Sequence, residues 1–400
     1  QQQPATMAPG AFGDDDELSL EGSRERKQIE NMLTHIVAKL EDSGEVVAEV
    51  FAFPSDTILS LRHAVSVAAK IPHLTIKFQG LTLTSHFTVQ ESGLENHAEI
   101  QIFPILEAAL ASGASDGVVH IWDAIGGTCL DTLRGHEGSV LCVQFSPSGS
   151  SLATCGSDNV AKIWDTNSGK CMQTLGSHLD WVTSISFSPD EAEVATSSLD
   201  CTARLWDPAS GSCRQVLKNG VSPVFWVCYS PCGQQLATAG GDFTARIYPT
   251  GTREEALTLR GHADNVQMVS WSPSGDLMLT CSTDKSARLW EASSGNCLQH
   301  LLGHSDTVQS ACFSPDGKLV ATSSLDRSAR LWETLSGECL RILKGHSGCV
   351  LSAVFSPDGK LVATGARDST LRTWDVKSGK CLQMLEGHRG KVESVCFLVF

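Results

Sequence analysis

The sequence has no run of about 18 consecutive apolar residues, so a membrane-spanning helix is not expected. It is also short of basic residues: 30 Lys and Arg stand against 45 Asp and Glu, which gives a net charge of −15. A broad basic surface for nucleic acid or anionic lipid is therefore not expected. The apolar fraction of 41% is typical of a globular protein, and 400 residues suit two to four domains.

The motifs of common enzyme classes are missing as well. The sequence contains no phosphate-binding GxxxxGK[ST] loop, no HExxH metal motif and no glycine-rich dinucleotide fingerprint. We therefore expect a protein that is not an enzyme and that needs no cofactor or metal.

The chain begins with Gln rather than Met, which favours a fragment, and its first residues lack the basic and apolar regions of a signal peptide. All 15 Cys lie at or beyond Cys129, and six of them recur at intervals of 42 or 84 residues. Equivalent strands of neighbouring repeats lie too far apart for a disulfide. We expect reduced, half-buried thiols and a location in the cytoplasm or the nucleus.

A 42-residue repeat fills the chain from residue 107 onward. Four series of residues share this period: a His, a Ser or Thr 18 residues later, an Asp four residues after the hydroxyl, and a Trp six residues after the Asp. Chance does not produce four series in phase. The sets are His136, Thr154, Asp158, Trp164; His178, Thr196, Asp200, Trp206; His262, Thr280, Asp284, Trp290; His304, Thr322, Asp326, Trp332; His346, Thr364, Asp368, Trp374; and His388 with Ser112, Asp116, Trp122.

Each repeat also contains four short alternating segments, such as Val140–Phe145 and Cys171–Leu175, which predict four strands and hence one propeller blade. Over residues 107–400 the pattern resembles the WD-repeat β-propeller family. The resemblance implies a hydrogen-bonded tetrad in each blade, in which the hydroxyl accepts from the indole N–H and the Asp holds the His ring. Ser, His and Asp also form hydrolase triads, but repetition in phase with a Trp favours a structural role.

One repeat departs from this pattern. Around Asp242, Gly220 replaces the His and Tyr248 replaces the Trp. Two interpretations stay open: a blade whose sequence has drifted without consequence, and a blade specialised for contact with a partner.

The C-terminal strand is predicted to close the ring. The repeat that contains Asp116 lacks a first strand, and residues 391–400 supply one in the correct phase, because His388 plus 22 minus seven repeats of 42 gives position 116. We predict seven blades closed in this way, which removes exposed sheet edges. A truncated array of eight blades is the alternative.

Residues 1–32 are polar and carry the acidic run 14–17, which predicts a disordered tail. Residues 33–106 read as a hairpin, a helix from Ser55 or Asp56 to about Ala69, and further strands. This order, together with the segments PSDTI and KFQGLTL, resembles the ubiquitin-like β-grasp family. The domain lacks a C-terminal Gly-Gly, so conjugation is not expected, and Lys77 replaces the central apolar residue of the family's recognition patch. We expect it at the rim opposite the His-bearing loops.

The predicted fold class is thus mainly β: a seven-bladed WD-repeat propeller preceded by a small α+β ubiquitin-like domain. On the face that carries the His and Asp loops, most positions are small or polar, but one sector is apolar. The candidate protein-binding residues are Trp181, Leu199, Pro223 and Phe225, with a basic sector at Arg367, Lys391 and Arg389. Packing between blades and ordinary solvated charge are the alternatives for these two sectors.

The sequence favours a non-catalytic scaffold that binds other proteins, as a monomer within a larger complex. Three alternatives remain: a substrate adaptor of the ubiquitin system, a ribosome-assembly factor with the domain order of Notchless-type proteins, and an adaptor in ciliary transport or assembly. A fold alone does not choose among them.

Overall fold

The computed structural model describes residues 109–398, except residues 125, 219 and 252–256, and the backbone of five strands closer to the N-terminus. These strands and the repeats form separate units. The N-terminal strands are β1 (Thr34–Leu40), β2 (Val46–Ala52), β3 (Leu74–Phe78), β4 (Leu81–Thr82) and β5 (Ala98–Pro104).

The five N-terminal strands form one mixed sheet in the order β2-β1-β5-β3-β4. Strands β1 and β2 pair antiparallel as a hairpin, and β5 lies parallel to β1. Strand β3 pairs antiparallel with both β5 and β4. The predicted tail over 1–32 and the predicted helix lie outside the described residues.

The repeats form seven four-stranded antiparallel sheets, which confirms the predicted seven-bladed propeller. The inner strands are β9 (Val140–Phe145), β13 (Val182–Phe187), β17 (Val224–Tyr229), β21 (Val266–Trp271), β25 (Val308–Phe313), β29 (Val350–Phe355) and β33 (Val392–Phe397). The second strands are β6 (Ala109–Ala114), β10 (Ser151–Gly156), β14 (Val194–Ser198), β18 (Gln235–Gly240), β22 (Leu277–Ser282), β26 (Leu319–Ser324) and β30 (Leu361–Ala366).

The third and fourth strands complete each blade toward the outside. The third strands are β7 (Val118–Asp123), β11 (Ala161–Asp165), β15 (Thr202–Trp206), β19 (Thr244–Pro249), β23 (Ala287–Glu291), β27 (Ser328–Glu333) and β31 (Thr370–Asp375). The outer strands are β8 (Cys129–Arg134), β12 (Cys171–Leu175), β16 (Cys213–Lys218), β20 (Leu257–Arg260), β24 (Cys297–Leu301), β28 (Cys339–Lys344) and β32 (Cys381–Glu386). Blade 1 holds β33 with β6–β8, and blades 2 to 7 follow in chain order.

The hydrophobic core lies between neighbouring blades rather than at one centre. The second strands are buried almost throughout because both faces of each sheet pack against the adjacent blades. Each outer strand buries a Leu, at intervals of 42 residues from Leu133 to Leu385, and most outer strands are otherwise largely exposed; β8 also buries Leu130 and Asp131. Clusters extend from one blade into the next: Trp332 of blade 6 packs with Leu289 and Leu301 of blade 5.

The ring is closed by the C-terminal strand. Strand β33 pairs antiparallel with β6, from Val392 opposite Ala114 to Phe397 opposite Leu110. Hydrogen bonds also tie β33 to both neighbouring blades, because Val143 N–H donates to Ser394 Oγ at 3.2 Å and Val395 N–H donates to Ser352 Oγ at 3.2 Å. Strand β33 thus completes blade 1.

The cysteines correct one sequence expectation. All 15 are free thiols, but Cys171, Cys213, Cys297 and Cys381 of the recurring series are exposed rather than half-buried. They begin the outer strands, where no further blade covers them. Among the described residues, no helix is long and apolar enough to cross a membrane.

Candidate protein-binding face

The predicted tetrads are assembled in six blades. Each Trp Nε1–H donates to the Thr or Ser hydroxyl at 2.8–2.9 Å, and that hydroxyl lies 2.8 Å from His Nε2. His Nδ1 lies 2.7–2.9 Å from the Asp carboxylate in five blades and 3.4 Å from it in blade 1. The network leaves the indole and imidazole nitrogens satisfied, as buried polar groups require.

The chemistry of the tetrads is structural. The hydroxyls of Ser112 and Thr322 are completely buried, so they cannot meet a substrate. Burial alone would raise the pKa of Asp326, but hydrogen bonds from Ser328 and His304 lower it below its usual value. Burial lowers the pKa of His304 against the opposing influence of Asp326. In blade 6 a neutral imidazole beside a carboxylate therefore holds the two loops together at neutral pH.

Blade 4 has replaced its tetrad with an ion pair. Where other blades place a His against the Asp, Arg246 contacts the carboxylate of Asp242, and Thr244 Oγ1 donates to the same side chain at 2.8 Å. A Cβ on Gly220 would meet nothing within 4 Å. The blade keeps its four strands, so its departure is local to the loops.

The face that carries the tetrad His and Asp residues, called the top face below, opens on the central channel. In every blade the second residue of the inner strand sits at a β-bulge, which re-aims a side chain. These residues line a cavity of about 170 Å³ at the channel. They are Leu141, Thr183, Phe225, Gln267, Gln309, Leu351 and Glu393.

The structure brings the four predicted apolar residues together in two adjacent blades. Trp181 is 48% exposed and its carbonyl accepts from Leu199 N–H at 3.0 Å in blade 3. Pro223 and Phe225 are half-buried in blade 4, beside Gly241. Phe225 also lines the channel.

Three further apolar residues of the same two blades escaped the sequence reasoning. Leu179 is 84% exposed, Val221 is 94% exposed and Phe243 is 44% exposed. Leu179 and Val221 follow the His position directly, and Phe243 follows Asp242. Comparison of these positions along the 42-residue period would have found them, because the other blades carry Glu, Ala, Ser or Arg after the His.

The predicted basic residues lie on the far side of the channel. Arg367 of blade 7 and Lys391 of blade 1 are both exposed, and both influence Glu393 at the channel. Burial raises the pKa of Glu393, while the two cations oppose that rise. Arg389 is exposed beside them, and its backbone N–H donates to the Asp116 carboxylate at 2.8 Å.

Comparison with known proteins agrees with this geometry. The family described as "WD domain, G-beta repeat" matches six segments that together cover more than half of the chain: 127–165, 169–207, 211–248, 253–291, 295–333 and 337–375. The chain belongs to the WD-repeat family.

Two curated WD-repeat relatives resemble short parts of the chain. Nuclear distribution protein PAC1 of Mycosarcoma maydis is 49% identical over 43 residues, which is 11% of this chain and 10% of that protein. Ribosome assembly protein 4 of Chaetomium thermophilum is 44% identical over 52 residues, which is 13% of this chain and 10% of that protein. The chain thus spans about a tenth of the length of either relative.

The WD repeats and the blades are offset by one strand. A matched segment such as 295–333 begins at outer strand β24 of blade 5 and ends at β27 of blade 6. Strands β6 and β7 lie outside the matched segments, although Ser112 and Trp122 on them form a complete tetrad with Asp116 and His388. Each WD repeat therefore links two blades covalently, and β33 makes the same link between blades 7 and 1. The segment 211–248 matches although it lacks the His and the Trp.

Proposed function

We propose that this chain is a non-catalytic scaffold that assembles a protein complex through the top face of its WD-repeat propeller. The observation that carries the proposal is the exposure of Leu179, Trp181, Val221 and Phe243 in two adjacent blades. Full burial of one such side chain in an interface gains about 1.5–3 kcal/mol. Large exposed apolar side chains gathered in one sector mark interaction sites on soluble domains.

The N-terminal sheet supplies a second module in this proposal. Its hairpin and its parallel pair β1–β5 support a ubiquitin-like β-grasp assignment, together with the sequence resemblance over residues 33–106. Lys77 in β3 favours docking through a surface other than an apolar ubiquitin-type patch. We assign this module to recruitment of a second component of the complex.

The experiment is affinity purification of the full chain followed by mass spectrometry. The test variant carries Trp181→Ser with Val221→Ser, and the matched control carries Leu335→Ser with Leu340→Ser, two residues that are exposed outside the top face. We expect the test variant to lose its main partners and the control to keep them. Equal recovery of partners by both variants would show that the top face is not the binding surface.

A ribosome-assembly role is the second candidate. It is favoured by the similarity to Ribosome assembly protein 4 and by a sheet module that precedes the propeller, in the order of Notchless-type proteins. Sedimentation of a cell lysate tests it: the tagged chain should migrate with pre-ribosomal particles, and a position only with small complexes would contradict it. Proteasome or ligase subunits among the purified partners would favour the ubiquitin-system adaptor instead, and ciliary transport proteins would favour the ciliary adaptor.

A further inference from the structure

We propose that the top face binds a partner segment that is apolar at one end and acidic at the other, lying across the mouth of the channel. The inference rests on the proposed function, since it names the chemistry of the partner that the top face takes. Two surfaces carry it. The apolar surface consists of Leu179, Trp181, Pro223, Phe225 and Phe243, and the basic surface consists of Arg367, Arg389 and Lys391.

The apolar surface is accessible because blade 4 has a glycine, Gly241, directly before its Asp. Gly241 N–H donates to the Pro223 carbonyl at 3.0 Å, and a Cβ at Gly241 would lie 3.3 Å from Pro223 and 3.4 Å from Phe225. The other six blades carry a side chain at this position, namely Ser115, Ser157, Leu199, Thr283, Leu325 and Arg367. The absence of a side chain in blade 4 keeps Pro223 and Phe225 accessible from above.

Phe243 is placed on this surface against a backbone cost. The residue after the Asp has a positive φ in all seven blades, and its φ is +68° at Phe243. A bulky side chain is disfavoured in the left-handed region. Phe243 is also 44% exposed, so a large part of its ring is open to a partner. Strain of this kind is found at functional sites.

The basic surface stands out on an acidic protein. Two residues after the His, blades 3, 5 and 6 carry Asp180, Asp264 and Asp306, whereas blades 7 and 1 carry Gly. Among the described residues, no carboxylate lies within 4 Å of the charged side-chain nitrogens of Arg367, Arg389 or Lys391, so all three cations are available to a partner. Glu393 and the tetrad carboxylates below them reduce the local positive charge without pairing with these side chains.

The two surfaces face each other across the channel. In a ring of seven blades, blades 3 and 4 lie opposite blades 7 and 1. Phe225 and Glu393 line the same cavity, so the path between the two surfaces crosses an open mouth flanked by Thr183, Gln267 and Gln309. One extended segment can therefore reach both surfaces.

A protein segment fits this face better than a membrane does. An anionic bilayer would meet Asp180, Asp264 and Asp306 on the same face and the net charge of −15. A peptide with apolar and acidic ends places each group against its complement, and charge complementarity governs which partners are accepted.

The test is selection of peptides from a random phage-displayed library of about 12 residues, a length that extends to about 40 Å. The full chain is immobilised and binders are counted by sequencing. We expect binders with aromatic or aliphatic residues at one end and Asp or Glu at the other. Affinities of synthetic copies should fall about tenfold or more on Arg367→Glu with Lys391→Glu and should weaken with salt.

Matched controls separate local from general charge effects. Lys318→Glu with Lys360→Glu changes the same total charge in turns at the opposite end of the blades, and both residues are about 80% exposed. This control should leave affinity within about twofold, and Phe243→Asn should weaken it while urea midpoints confirm folding.

Each other outcome overturns the inference in a recognisable way. Binders without acidic residues would refute the partner chemistry but leave the proposed function standing. A failure to select any peptide sensitive to these variants would refute both. Binding to phosphatidylserine vesicles that is lost with Arg367→Glu would replace the peptide with a membrane. Tighter peptide binding after neutralisation of residues 14–17, or dimers that dissociate on Lys391→Glu, would assign the face to this chain itself.

Discussion

We predict that at acidic pH the ring opens first at blade 1, which the C-terminal strand β33 completes. His388 Nε2 lies 2.8 Å from Ser112 Oγ, so this imidazole joins the end of the chain to the first blade. Its ring centroid lies 4.4 Å from that of His120, whereas the six other blades carry Lys or Arg at the position of His120. Burial, and then the neighbouring His120, lowers the pKa of His388 to about 4, against the opposing influence of Asp116.

The sign of the effect follows from proton binding. The unfolded chain protonates this His near pH 6.5, before the folded chain does, so stability is fully present above that pH and is lost as the pH falls toward 4. At 1.36 kcal/mol per pKa unit, the loss is about 3 kcal/mol. Hydrogen bonds outweigh burial and lower the pKa of Asp284 and Asp368, so their contributions are lost only below their usual value of 3.8. The pH range in which protonation of His388 costs stability therefore lies above the range in which protonation of these two carboxylates does.

The assay is urea denaturation of the wild-type chain and of His388→Gln at several pH values from about 7 to about 4. The free energy of unfolding of the variant should depend less on pH than that of the wild type, by about 3 kcal/mol over this range. Hydrogen exchange near pH 5 should show β33 and β6 opening before β25 and β26. His304→Gln is the matched control, since that imidazole has no second His beside it. Equal pH dependence of wild type and His388→Gln would refute the reasoning.

Three further substitutions test other parts of the propeller. Thr322→Val removes the hydroxyl that satisfies two buried nitrogens, so urea denaturation should show a loss of about 3 kcal/mol; a loss below about 1 kcal/mol would contradict the tetrad account. Phe243→Asn should stabilise the chain by about 1 kcal/mol, because Asn tolerates a positive φ, and a lower melting temperature would contradict the assigned strain. Arg246→Met should cost about 2 kcal/mol by leaving a half-buried carboxylate without its cation, whereas Arg330→Met, which removes a contact 5.8 Å above an indole, should cost less.

The propeller could be predicted almost completely from the sequence because its folding information is repeated. Each blade uses the same buried hydroxyl and the same indole, so one period of 42 residues fixes strand number, blade number and the phase of the closing strand. The 22-residue spacing from His to Asp located the partner of Asp116 across 272 positions of chain, and the structure places His388 there. Because the pattern is periodic, a contact between residues so far apart in the chain can be predicted from the sequence.

The loops of the top face could be predicted only in part. The sequence reasoning selected Trp181 and Phe225 because aromatic residues are conspicuous, but it missed Leu179 and Val221, whose exposure depends on how far each loop projects from the blade. It identified the altered positions Gly220 and Tyr248 of blade 4, yet not that Arg246 would contact Asp242. Whether Arg246 can reach Asp242 depends on the space that the missing His leaves, and the identity of one residue in the sequence does not specify that space.

Comparison of equivalent positions in the seven blades also helps to distinguish residues that serve folding from residues that serve binding. All seven residues that follow the Asp have a positive φ, so this backbone feature does not account for the differences in residue type among them. Six blades fill this position with Gly, Asn, Cys, Lys, Arg or Ser, and one fills it with Phe243. Phe243 combines a disfavoured backbone conformation with a ring that is 44% exposed. This combination supports our proposal that Phe243 contacts a partner, on the one blade in which Arg246 rather than a His faces the Asp.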